Sequence, residues 1–180
     1  MVISWIVRAA IRWAKAEQAA YAGYSVPIAE AHKRFMGGFF EQEALNAVRI
    51  VLVERIPAPA LYERLSALGI PLPDYRRRFV GITLQDYIFI SNQCARDLDG
   101  RRCLLFHELV HVVQYRVLGL EQFMSTYINE WLAVGCRYRR ICHEVMAAQL
   151  TTRYLQEPGR PFNVKAIVEQ RLERSMHFRS

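Results

Sequence analysis

The chain reads as an α+β protein in which a small antiparallel or mixed sheet packs on one central apolar helix, with further helices around it. Three observations predict this. Residues 47–53, 79–84 and 87–91 are short runs rich in Val, Ile and aromatic side chains, bounded by proline or by polar turn residues, as strands are. The stretch CLLFHELVHVVQYRVLG, 103–119, is apolar on nearly every side, as a buried helix is. Elsewhere apolar positions recur at helical spacing, and these segments stop at Gly or Pro.

Taken in order, the first two dozen residues form a helix with Trp5, Ala9, Trp13, Ala16 and Ala20 among its apolar positions. Arg8, Arg12 and Lys15 recur on another face. Such a basic amphipathic helix can lie on a membrane surface, but covering the body of its own domain is the favoured reading. It ends around 23–27, and 28–36 is a second short helix stopped at Gly37 and Gly38. The strand over 47–53 leads to a helix over 60–68 that ends at Gly69. The strands over 79–84 and 87–91 make an antiparallel hairpin at Gln85-Asp86, a turn without the favoured glycine. A polar loop follows over 92–100. The buried helix then runs from about Arg101 to Gly119. Helices over 120–134 and 142–156 come next, and a last short one lies within 161–180.

At 180 residues there is room for one domain with a proper core and little more. The net charge of +7 comes almost entirely from arginine, in short scattered clusters such as Arg76-Arg77-Arg78 and Arg101-Arg102. No nucleic-acid-binding motif accompanies them, so a solvated basic surface is expected and no specific nucleic acid partner. No apolar run is long enough to cross a bilayer, and Arg8 and Arg12 interrupt the start too soon for a signal-peptide core. A cytoplasmic protein is therefore expected. Cys94, Cys103, Cys136 and Cys142 form no CxxC pair and read as free thiols.

The chemistry lies in His107-Glu108-Leu109-Val110-His111, a HExxH motif inside the buried helix. Histidines four apart lie one turn from each other on one face, so both imidazoles can reach a single ion. Glu108 projects beside that ion, where its carboxylate can take a proton from water. Burying two histidines and a glutamate together is costly unless something pairs with them, and zinc would. The expectation is a zinc-dependent hydrolase, with Zn2+ as cofactor and a peptide or protein as substrate.

A few strands leading into a HExxH helix, then a downstream helix offering a glutamate, resembles the glutamate-ligand branch of the zincin metallopeptidases. GITLQDYIFIS and LLFHELVHVVQYRVLGLEQF are also similar to small bacterial metallopeptidase domains. The resemblance spans 45–156 and implies a zincin-like catalytic core there, with a helical extension over 1–44 packed on the body and a helical tail over 157–180. It implies His107 and His111 as metal ligands and Glu108 as general base. With Gln at 114 and Val at 117, no third histidine stands at family spacing, which points to a carboxylate. Glu144 is favoured, because Ala147 and Ala148 after it let helices approach closely, and Glu130, beside Trp131, is the alternative. His143 is expected to be exposed. Gln114, one turn after His111, is placed to hydrogen-bond a ligand or the substrate. Tyr115, Arg137 and Tyr138 are candidates for a second oxyanion donor, and the strand over 87–91 for an edge that pairs with an extended peptide. The rival expectation keeps the fold with a structural metal and no catalysis, as an interaction or assembly domain.

Overall fold

In the computed structural model, which describes residues 2–59, 62, 79–92 and 98–177, four strands form one mixed sheet. They are β1 (Val26–Pro27), β2 (Arg49–Val53), β3 (Gly81–Leu84) and β4 (Tyr87–Ser91), in the order β1-β2-β4-β3. β4 runs parallel to β2 and antiparallel to β3. It is therefore an inner strand, and the expected free edge at 87–91 is corrected: among the described residues the edge on that side of the sheet is β3. The reason lies in its side chains. Ile88 and Phe89 point to opposite faces and both are fully buried, which demands cover on both faces of the strand. Leu84 opposes Tyr87, so the turn is two residues long. Gln85 takes the left-handed conformation there, with φ 54°, and its side chain accepts a hydrogen bond from Gln18 at 3.1 Å.

The first helix, α1 (Val2–Tyr21), carries that glutamine; α2 (Glu30–Met36) and α3 (Gln42–Ala47) follow. The strand expected from residue 47 begins at Arg49, because Ala47 ends α3. The helix expected over 60–68 lies outside the described residues, apart from Tyr62. α4 (Leu98–Ala133) is broken at Gly119, whose φ of 76° and ψ of 162° are not helical. The two helices expected on either side of Gly119 are thus two limbs that join directly. α5 (Cys142–Gln156) and α6 (Val164–His177) complete the described chain.

Two large apolar clusters, with a small third one of Ile6 and Ile128, hold these described parts. One joins Ile88 of the sheet to Phe106 and Leu109 of the first limb of α4 and to Leu150 of α5. It continues into Phe39 and Phe40 between α2 and α3 and into Val164 and Val168 of α6. The other, on the opposite face, joins Val51 and Phe89 to Ala14 of α1 and to Phe123 and Met124 of the second limb. Among the described residues no helix is long and apolar enough to cross a membrane.

Candidate metal centre

The helical repeat of the first limb stacks His107 and His111 one turn apart, with their Nε2 atoms 3.2 Å from each other. α5 brings Glu144 to them from the facing side. Its Oε2 lies 3.3 Å from His107 Nε2 and 3.4 Å from His111 Nε2. The three donor atoms form a nearly equilateral triangle. A tetrahedral ion bound at about 2.0–2.1 Å spaces its ligand atoms roughly 3.3 Å apart, so the triangle has the edge that an ion of zinc's size requires. His107, His111 and Glu144 could therefore hold a metal ion. Their donors, two imidazoles and a carboxylate, are the set that zinc accepts while keeping a position open.

Glu130, the alternative ligand, is turned elsewhere. Its Oε2 lies 2.8 Å from His143 Nδ1, and both side chains are buried. His143 is 1% exposed, which corrects the expectation of a surface residue. The second limb of α4 covers that side of α5, with Phe123 edge-on to the His143 ring at 5.0 Å. The buried face is broad enough to enclose both 143 and 144. Of the two alanines taken as the sign of close approach, Ala147 is buried in the core and Ala148 is exposed.

Gln114 fixes the state of His111. Its Nε2 donates to the main-chain carbonyl of His143 at 3.1 Å, so its Oε1 is the atom 2.8 Å from His111 Nδ1. A carbonyl oxygen only accepts; Nδ1 must carry hydrogen and Nε2 is left to bind the ion. Glu144 is held in a comparable way. The Tyr127 hydroxyl donates to its Oε1 at 2.7 Å, which leaves Oε2 facing the histidines. Sequence reasoning missed Tyr127, since a tyrosine on a separate helix carries no spacing signal.

Glu108 stands beside the triangle. Thr83 on β3 donates to its Oε2 at 2.7 Å. A Cβ at Gly81 would come within 2.7 Å of its Oε1, so the edge strand approaches the carboxylate as closely as glycine permits. Neither residue was singled out from the sequence; their only signal is a place in the strand two positions apart. Burial pushes the Glu108 carboxyl above its ordinary value, opposed by His111, His107 and Thr83. Burial acts to lower His111, but the Glu144 and Glu108 carboxylates overcome it and push the imidazole up to about 9. Burial likewise acts to raise Glu144, but His111 and His107 hold it well below the usual carboxylate range.

Glu108, His111 and Glu144 open onto a cleft of about 180 Å³. Tyr115 and Tyr138 line it, whereas Arg137 is not among the described lining residues; the Tyr115 hydroxyl lies 3.8 Å from Met124 Sδ. Compared with known proteins, the chain matches no family model, no curated protein and no solved structure.

Proposed function

We propose that this protein is a zinc-dependent peptidase of the zincin kind, with Glu108 as general base. The observation that carries the reading is the triangle of His107, His111 and Glu144 donors at 3.2–3.4 Å, with a buried carboxylate held beside it. Those three residues would hold zinc, whose Lewis acidity makes water a competent nucleophile near neutral pH and steadies charge on a carbonyl oxygen. Glu108 takes a proton from water as the water oxygen bonds to the peptide carbonyl carbon. It passes that proton to the amine nitrogen as the C–N bond breaks, so the carboxylate is regenerated. Thr83 orients the carboxylate, and the burial that raises Glu108 strengthens it as a base. Among the described residues β3 pairs only with β4, and an extended peptide added to its outer edge would lie next to Glu108.

Elemental analysis of the purified wild type, Glu144→Ala and Glu130→Ala, with a peptide-hydrolysis assay of wild type and Glu108→Gln, tests this reading. About one zinc per chain is expected, lost in Glu144→Ala and kept in Glu130→Ala. Glu108→Gln should keep zinc and lose hydrolysis. A wild type that takes up no zinc on reconstitution overturns the reading. Zinc binding without Glu108-dependent hydrolysis gives instead an assembly domain with a structural metal.

A further inference from the structure

Away from the metal triangle the cleft changes character. Its outer wall is α1, through Ala10 and Trp13, and its far wall is the second limb of α4, through Phe123, Ile128 and Trp131. No lysine or arginine is among its described lining residues, and the carboxylates there are engaged with Thr83, Tyr127 and the histidines. An acidic guest would find no lysine or arginine to pair with among these described residues, and a polar one would lose water against a mostly apolar wall. Size narrows the choice further. An apolar cavity of about 150 Å³ holds one benzene molecule, and this cleft measures about 180 Å³. The β3 residues Gly81 to Leu84 line the same space. A peptide added to that edge would send alternate side chains towards it.

We propose that the cleft is a specificity pocket for one bulky apolar side chain, aromatic or leucine-sized, on a peptide residue flanking the bond to be cut, and that α1 is its outer wall. The inference takes the nature of its ligand from the peptidase reading, but its walls come partly from a segment outside 45–156. α1 is thereby a selecting element as well as a structural one.

The test uses the zinc-loaded Glu108→Gln protein, in which binding is read without turnover. Calorimetry compares alanine hexapeptides carrying a central Phe, Leu, Ala or Asp. Phe and Leu guests should bind about ten- to a hundred-fold more tightly than Ala, from the apolar surface buried, and Asp no more tightly than Ala. Adding Ala10→Phe fills the pocket and should abolish the difference. Trp13→Ala removes part of a wall and should shrink the preference for Phe over Ala, which keeps the test decisive if Ala10→Phe does not fold. Equal affinity for all four guests, no measurable binding, or a preference untouched by both substitutions overturns the proposal. Cleavage by wild type with guests that bind alike removes the pocket and leaves the peptidase. A Phe preference without cleavage does the reverse, leaving a site that binds apolar peptides.

Discussion

His111, Glu144 and Glu108 each have a hydrogen-bond partner that orients them, Gln114, Tyr127 and Thr83 respectively. In the metal-free protein His111 sits between carboxylates that raise it from 6.5 to about 9, although burial opposes them. A raised imidazole stabilises the fold fully below its unfolded value and loses that contribution as pH climbs through about 9. On the proposed zinc-peptidase reading, the metal needs the same Nε2 unprotonated. Uptake must therefore displace a proton, and affinity should climb by nearly tenfold per pH unit up to about 9, then level off. Titrations in buffers of different ionisation enthalpy count that proton; an affinity flat between pH 7 and 9 would contradict the arrangement. For Glu108 the partners are Thr83 and the bare Cα of Gly81. If the chain is the proposed peptidase, Thr83→Val, which removes a charge-assisted hydrogen bond, should lower kcat about ten- to a hundred-fold, with zinc content and KM little changed and Thr83→Ser restoring activity. Gly81→Ala should act in the same direction by displacing the carboxylate. Loss of zinc in either variant would make their role structural. The two histidines and Glu108 were legible because one helical turn encodes their relation. Thr83, Tyr127 and Gly81 reach their partners across 17 to 27 residues of chain, where only the folded register shows the contact.

The same difference separates the helices from the sheet. Gly119 was readable as a break because a long apolar helix pattern stops there, and its φ of 76° with ψ of 162° belongs to a region that side chains avoid. Nothing stands within 4 Å of where a Cβ would be, so Gly119→Ala tests the backbone alone. It should cost about 1–3 kcal/mol and lower the melting temperature by several degrees. An unchanged melt would mean that the two limbs meet without strain. The bounds of α5 also followed from the sequence, since Cys142–Gln156 stops before Pro158. The position of β4 did not. β3 and β4 carry similar apolar runs, and which of them lies inside is decided by the parallel pairing of β2 with β4 across 38 positions. Local pattern gives a strand its faces; the neighbours on its edges come from long-range closure.

The division into a central 45–156 with flanking helices came from the resemblance, which has no hold on what the flanks bury. In the structure Phe39 and Phe40 on one side and Phe162, Val164, Val168 and Leu172 on the other belong to the same cluster as Phe106, Leu109 and Val110. Phe106 meets the Phe39 ring edge-on at 5.5 Å and the Phe162 ring at 6.1 Å, so the residue next to His107 is packed from both flanks. Cutting at 45 and 156 would expose those rings, at about 1.5–3 kcal/mol for each large apolar side chain. Against a total stability of about 5–15 kcal/mol for a domain, losing four or five such contacts, about 6–15 kcal/mol, is as large as the whole. A fragment spanning 45–156 should therefore show no cooperative melt and bind zinc at most weakly, whereas the full chain melts in one transition. A fragment that melts sharply and takes up one zinc would show the flanks to be appendages. It would also separate α1 from the fold and leave it only the wall of the cleft.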